Sequence, residues 1–485
     1  MSERNLKQTA ITSLFWKLFE QGGTAVVTLV VQIVLARLLS PDEFGMLAIM
    51  LVFVNLGNVI VQSGLNTAII QAPDATERDY STVFWMSLVT SLVLYTVVFF
   101  ATPAITDFYA MPQAVWPLRA LVSVLIINAY NSVQEAIVAR ELDFRKTARA
   151  TVIAGFVSGA VGITLAFYGA GIWALVVQQI LQQLCKCIVL AFEISWKPQL
   201  IFDANRAVVL FGFGWKLLAS GILEQGYQSL SDLMIGKVFS KADLGYVSQG
   251  KKYPLAVGAL LDGAIQPVML SAASRVQDDV AQVKRLARRA LKTSTFLIFP
   301  AMTLFALAAE PIVRLVLGET WLPSVPFVRV YCFVYAMLPI HTTNLQILNG
   351  MGRSDLFLRL EVIKKIVGIS LLGITVFGFR SLYAIACGYM ISAVLSTFIN
   401  ASPNKRVIGY SYGEQLRDIL PAFVLALVSA AVAWPISMLG LPDLVTIILQ
   451  GLVMATVYLL LAYILRVEEF TYLLSTMQEM LAHKG

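Results

Sequence analysis

From residue 11 to residue 465 one long apolar stretch follows another, with only short polar turns between them. A helix needs about 20 apolar residues to cross a hydrocarbon core, each adding ~1.5 Å. We count about fourteen such stretches: 11–37, 44–65, 82–103, 116–138, 148–168, 171–192, 207–236, 251–273, 293–317, 325–349, 358–378, 381–400, 417–440 and 443–465. Lipid offers no partner to a backbone N–H or C=O, so runs of this length must fold as helices. The expected class is an all-α polytopic membrane protein. A chain that is 58% hydrophobic and 13% charged, with mean hydropathy +0.76, cannot be an ordinary soluble protein.

One stretch carries charge where a lipid-facing helix should not. Lys216, Glu224 and Asp232 lie inside 207–236. On a helix, Ser220, Glu224, Gln228 and Ser231 share a sector of about 80°, with Lys216 and Asp232 at its flanks. A charge at the bilayer centre costs roughly 2.5–3.5 kcal/mol, so this face must meet protein or water. The same stretch echoes one about 200 positions earlier. Trp16-Lys17 recurs as Trp215-Lys216, and Arg37, Ser40, Glu43 and Gly45 recur as Lys237, Ser240, Asp243 and Gly245. The first copy has its own polar stripe, Lys17, Gln21, Thr24, Thr28 and Gln32. Two basic, polar-striped helices point to an internal duplication, a common transporter plan. The expected lobes are 1–206 and 207–404, six helices each, followed by 405–485 with helices thirteen and fourteen and a tail.

With the N-terminus placed inside, inner segments hold about two thirds of the 36 Lys and Arg residues, so both termini are expected to be cytoplasmic. The net charge of +7 is therefore membrane topology rather than a nucleic-acid footprint. Trp85, Trp116, Trp173, Trp196 and Trp321 fall near span ends, where interfacial aromatics belong. The longest connection, Ser274 to Lys292, keeps Val276, Val280, Val283 and Ala287 at helical spacing. It reads either as a helix lying on the inner surface or as a solvated basic linker.

There is no phosphate-binding G-x-x-x-x-G-K-[ST] loop, no nucleophile–His–acid set and no His-based metal cluster, and no catalytic residue or cofactor is expected. Cys185, Cys187, Cys332 and Cys387 sit in apolar segments as small core residues. The first apolar stretch is too long for a cleaved signal. Intramembrane carboxylates are few: Glu20, Glu224, Asp232, Asp262 and Glu135. Such groups mark ion or substrate paths, or else pair with lysines between helices. Lys17 lies near the inner end of its helix, where it can also snorkel, and Lys216 is deeper. Arg37, Lys237 and Asp232 lie near outer ends, as binding groups or as ordinary interface charges. Asn55, Asn58, Asn128, Asn131, Gln134, Gln178, Gln182, Gln183, Asn344 and Gln346 add donors and acceptors that suit a hydroxyl-rich cargo.

Several blocks then give a resemblance. They are Leu35-Ala-Arg-Leu-Leu-Ser-Pro-Asp-Glu-Phe-Gly45, Arg140-Glu-Leu-Asp-Phe-Arg145, Leu244-Gly-Tyr-Val-Ser-Gln249, Ile265-Gln-Pro-Val-Met269, Ala273-Ser-Arg-Val-Gln-Asp-Asp279 and Leu348-Asn-Gly-Met-Gly-Arg-Ser-Asp355. In this order the chain resembles the polysaccharide flippases of the multidrug/oligosaccharidyl-lipid/polysaccharide (MOP) superfamily, in particular the Wzx-type colanic and teichuronic acid exporters. The resemblance implies two six-helix lobes around a cavity that opens alternately to each side, as in the MATE transporters, with two C-terminal helices added. It implies undecaprenyl-diphosphate-linked oligosaccharide as cargo, moved between leaflets of the bacterial cytoplasmic membrane. The polysaccharide polymerase and glycosyltransferases of that pathway would be partners, beside membrane lipids, with no nucleic acid. On that plan Lys17 and Lys216, with Gln21, Gln228, Arg37 and Lys237, would hold the diphosphate and sugar. Glu20, Glu224 or Asp232 would take up a coupling ion. The competing readings are a drug/cation antiporter of the same superfamily, which the two deep lysines disfavour, and a membrane polymerase or glycosyltransferase, which should carry a large outer loop or soluble domain.

Overall fold

The computed structural model describes residues 27–62, 64–71, 76–141, 143–276 and 278–472. Among these residues all regular structure is helical, and the chain divides into two compact units, Met1–Gly245 and Tyr246–Gly485. Unit 1 holds α1 (Val27–Leu38), α2 (Pro41–Gln62), α3 (Leu65–Gln71), α4 (Glu77–Phe108), α5 (Val115–Val122), α6 (Val124–Glu141), α7 (Phe144–Phe167), α8 (Ile172–Glu193), α9 (Ala204–Val238) and the first turn of α10 (Lys241–Arg275). Unit 2 holds the rest of α10, then α11 (Val280–Leu307), α12 (Ala309–Val316), α13 (Val325–Ala336), α14 (Leu338–Gly350), α15 (Ser354–Gly373), α16 (Leu382–Ala401), α17 (Asn404–Val407), α18 (Tyr412–Ala433) and α19 (Asp443–Ile464).

Among the described residues eleven helical segments are long and apolar enough to cross a membrane, or twelve with α9, which bends by 54°, as a single span. The chain is a multi-span membrane protein. The expected count of about fourteen would need α1 and α10, where the spans 11–37 and 251–273 fall, to cross as well.

The helices start where the sequence supplies caps. Ser40 Oγ bonds the Glu43 carboxylate at 3.0 Å while the Glu43 N–H donates back to Ser40 Oγ, and Ser240 and Asp243 repeat this box at 2.8 and 3.1 Å. The succession that follows is also found twice. Each unit has a long helix with an internal proline, Pro103 in α4 and Pro300 in α11. Each then has a 3-10 turn, Pro112–Ala114 or Glu319–Ser324, and a span broken at Ser123 or Met337. In the first half of that span an arginine Nε donates to a carbonyl of the preceding long helix, Arg119 to Phe99 at 3.2 Å and Arg329 to Ala306 at 3.3 Å. The repeat would set a limit at 206. By packing, α9 goes with unit 1, because it lies along α2 and α3.

Polarity in α4 is inverted relative to a soluble helix. Its buried positions are Asp79, Ser81, Thr82, Ser87, Ser91, Thr102 and Thr106, with Val83 the apolar exception, while Val89, Val93, Val97 and Phe100 face outward. Outward apolar groups meet lipid tails, so burial brings little hydrophobic gain, and small residues win the inner face by letting backbones approach. The hydroxyls return to their own helix, as Ser91 to the Leu88 carbonyl at 2.8 Å. Glycines do the same elsewhere: a Cβ on Gly159 would collide with the Val31 side chain of α1.

Two of the tryptophans read as interfacial are core residues. Trp196 is 4% exposed, with Tyr80, Phe84 and Tyr130 rings 6.2, 6.4 and 5.8 Å from its own, and Trp321 is fully buried with Tyr246 6.0 Å away. The basic segment before Lys292 is neither a surface helix nor a linker. From Val280 it is the first part of α11, and two of its cations pair with α18: Lys284 with Glu414 at 2.7 Å and Arg288 with Asp418 through two bonds of 2.7 Å.

The first turns of α2 and α10 cross at Gly45 and Gly245. A Cβ on Gly45 would overlap the Lys241 carbonyl, and one on Gly245 would overlap the Pro41 carbonyl. Positions 41/45 and 241/245 thus meet reciprocally. Gly45→Leu and Gly245→Leu should therefore cost the same, about 3 kcal/mol, the upper end for overpacking because backbone rather than side chain must yield. Thermal melting of the two purified variants in detergent measures this; wild-type melting of either variant would mean that the backbones are not in contact there.

Candidate functional site

Apart from Arg37 on α1, the candidate residues that can be followed lie on α9. This helix bends across residues 213–216, so the backbone of Lys216 is part of the bend. A second interruption abuts the first. Gly64, at φ +68°, separates α2 from α3, and a Cβ there would lie 2.6 Å from the Gly214 carbonyl oxygen and 2.9 Å from Leu217 Cβ. Only glycine adopts this backbone at low cost while leaving room for the opposing chain. Further along, Gly221 faces Val59 and Gly236 faces Ile49, each at 2.9 Å for the added Cβ. Gly64, Gly214, Gly221 and Gly236 thus bring the bent helix against α2–α3 at backbone range. The helix stays continuous from Ala204 to Val238 through this bend, so the bend changes the direction of α9 without breaking it.

Along α9 the structure joins two of the expected residues. Gln228 Nε2 donates to Glu224 Oε1 at 2.9 Å, and both side chains are exposed. Beside them Gln225 donates to Ser229 Oγ at 3.0 Å. Asp232 lies two turns on from Glu224, half-buried. At the C-terminal end of α9, Lys237 is engaged with the end of α4: its Nζ donates to the Phe108 carbonyl at 2.7 Å and stands 3.8 Å from the centre of the Phe108 ring. A cation at a helix C-terminus satisfies carbonyls that have no partner within the helix. Arg37, near the end of α1, is exposed. Lys17, Glu20, Gln21 and the Lys216 side chain lie outside the described residues.

The amides form interhelical bonds in both units. In unit 1 Asn128 donates to Asn58 at 2.9 Å, and Asn131 donates to Asn128 at 3.3 Å and to the Gln183 carbonyl at 3.1 Å. In unit 2 Asn344 donates to Gln415 at 3.1 Å, Asn400 is 3.0 Å from His341 Nδ1, and Thr342 bonds Asp262. Glu135, one of the intramembrane carboxylates, pairs with Lys186 across α6 and α8 at 2.7 Å.

Sequence reasoning missed the ion pairs at the helix ends. Asp79, 3% exposed in its side chain, takes two bonds from Arg206 at 2.7 and 3.1 Å and also caps α4 through Thr76. The partners are 127 residues apart, so the one local signal was the Thr76-x-x-Asp79 box. Near them the connector before α9 is strapped to α4: Trp85 Nε1 donates to the Gln199 carbonyl at 2.8 Å, and the Gln199 and Asp203 N–H groups donate to Ser81 and Thr82.

Comparison with known proteins places this geometry. A family model described as "Polysaccharide biosynthesis protein" matches residues 34–326, more than half of the chain. The chain is 23% identical to "Succinoglycan biosynthesis transport protein ExoT" of Rhizobium meliloti (strain 1021), over 71% of its own length and 70% of that protein. It is 22% identical to "Lipopolysaccharide biosynthesis protein WzxC" of Escherichia coli (strain K12), over 89% and 88%. Among solved structures, "Lipid II flippase MurJ, inward closed conformation" shares the fold with a TM-score of 0.77 at 13% identity, covering 94% of this chain and 99% of that one. The resemblance read from the sequence blocks holds at the level of the family and the fold: the chain belongs to the polysaccharide biosynthesis protein family.

Proposed function

We propose that this protein flips undecaprenyl-diphosphate-linked oligosaccharide from the inner to the outer leaflet of the bacterial cytoplasmic membrane, for assembly of a surface polysaccharide. The observation that carries this reading is a membrane-length helix of a polysaccharide-biosynthesis family member that bends at its deep lysine, Lys216. A diphosphate that leaves water needs cations, and Lys216 at the bend would supply one. The sugar needs mixed donors and acceptors, which Glu224 and Gln228 supply on the same helix. The prenyl tail stays in lipid. Lys17 and Gln21 take the matching role in the first repeat, Arg37 and Lys237 guide the anion at the outer end, and Glu20, Glu224 or Asp232 takes up a coupling ion. The lobes of the alternating-access cycle are 1–206 and 207–404, with 405–485 appended and both termini cytoplasmic. The protein is a transporter rather than an enzyme, working beside the polymerase and glycosyltransferases of its pathway.

Deletion of the gene tests this. Lipid-linked saccharide is expected to accumulate, protected from a membrane-impermeant glycosidase or periodate added to intact cells, while surface polysaccharide is lost. Accumulated saccharide that the outside reagent destroys would place the block after flipping and refute the reading. A drug/cation antiporter would leave the polysaccharide intact and instead sensitise the cells to organic cations.

A further inference from the structure

Unit 2 carries a cavity of about 570 Å³ that none of the roles above uses. It lies at the ends of α11 and α18, opposite the Lys284 and Arg288 ends, and with the N-terminus inside it opens on the outer face. Its walls are α12, Arg329 of α13 and the turn between α18 and α19, which brings Trp434, Ser437 and Asp443.

The charges of this cavity cancel before any ligand arrives. Arg314 donates to Glu310 at 2.7 Å and to Asp443 at 3.0 Å, so one guanidinium ties both carboxylates. Arg329 is different. Its repeat counterpart, Arg119, lies 4.2 Å from the Phe99 ring and 4.9 Å from the Trp116 ring. No ring covers Arg329 among the described residues, and beyond its bond to the Ala306 carbonyl its guanidinium lines the cavity. The far wall is supplied by the last two helices, which have no counterpart in the repeat. It places Trp434, half exposed, in that wall.

A paired acid–base set, one further guanidinium and an indole face are the components of a carbohydrate site. Vicinal hydroxyls bond paired carboxylates and guanidiniums without breaking the pairs, and the apolar face of a pyranose stacks on an indole. A diphosphate or a lipid phosphate would find one uncommitted guanidinium, Arg329, beside two carboxylates, Glu310 and Asp443, that repel it. The geometry points to a saccharide-binding site on the outer side of unit 2, which holds the sugar of the cargo as it arrives in the outer leaflet. The identity of the ligand rests on the flippase reading; the existence of the site does not.

The test uses Ser437→Cys, or Leu441→Cys should the first not fold, with Cys185, Cys187, Cys332 and Cys387 replaced by serine. The purified full-length protein in phosphatidylcholine nanodiscs is labelled with a maleimide, and an impermeant maleimide is applied to intact cells. The probe is the free saccharide released by mild acid from the host's lipid-linked intermediate, compared with inorganic pyrophosphate. The saccharide is expected to slow labelling several-fold and pyrophosphate to leave it unchanged, and Trp434→Ala should raise the half-protecting concentration about tenfold. Four results would overturn the site: no protection up to the solubility limit, equal protection by pyrophosphate, slow labelling in phosphatidylethanolamine nanodiscs without sugar, or no labelling from outside the cell. Because binding is measured without transport, protection in a protein whose deletion leaves surface polysaccharide normal would reject the flippase reading and keep the site. Loss of polysaccharide on deletion with no protection would do the reverse.

Discussion

The Lys17→Ala, Lys216→Ala double variant is expected to abolish surface polysaccharide while its abundance in the membrane stays at the wild-type level. A hydrogen bond to a charged group contributes about 1.5–3 kcal/mol, and at ~1.4 kcal/mol per tenfold each lysine then accounts for roughly tenfold to hundredfold in export. If the two act independently on one diphosphate the losses multiply. Either single variant should therefore retain visible polysaccharide and the double variant none. Lys216→Arg keeps the charge and should keep most of the activity, which separates an electrostatic role from a packing role. The readout is the ratio of lipid-linked intermediate to finished polymer in radiolabelled cells. Normal polymer in the double variant would remove both lysines from the mechanism.

Much of the architecture was legible because the bilayer imposes a length rule that survives the loss of every tertiary detail. Apolar runs could be divided correctly at Gly169–Gly171 and at Arg380, since a chain that turns within a few residues needs positive φ, and those positions take φ of +78°, +59° and +47°. The Ser40 and Ser240 boxes were legible as a repeat because capping is local. What depends on pairing at a distance was not. Trp196 looks interfacial from its place after a span, yet the connector folds back and buries it against Tyr80, Phe84 and Tyr130. The basic run from Lys284 to Lys292 looks solvated until α18 brings its acids from about 130 residues away. On α9 the polar stripe was visible from periodicity, but the bend at Lys216 and the Gly64 break facing it were not. Neither glycine spacing nor hydropathy says which two interruptions will meet.

The pairing of α11 with α18 should have a large effect on stability. Asp418 has a side chain 3% exposed, accepts two 2.7 Å bonds from Arg288 and one of 2.8 Å from the Tyr410 hydroxyl, and has Lys292 3.9 Å away. Burial, together with the adjoining Asp418 carboxylate, drives the Tyr410 phenol far above its ordinary range, so that it stays protonated and remains a donor. One exposed pair extends the network: the bond from Lys292 to Glu468 at 2.7 Å holds that carboxyl below the usual range. Asp418→Asn removes the charge that three donors converge on, and stranding a buried partner costs about 3–5 kcal/mol. Arg288 is partly exposed and recovers some solvation, so the lower end, ~3 kcal/mol, is expected. Glu468→Gln acts on an exposed pair and should cost under ~1 kcal/mol. The Asp418→Asn, Arg288→Gln double variant should be more stable than Asp418→Asn alone, because it strands no guanidinium. Melting in detergent ranks the variants, and trypsin cleavage after Arg406 or Arg417 reports whether α18 has come away from α11. Equal melting of Asp418→Asn and wild type would mean that helix packing alone holds the last two helices in place.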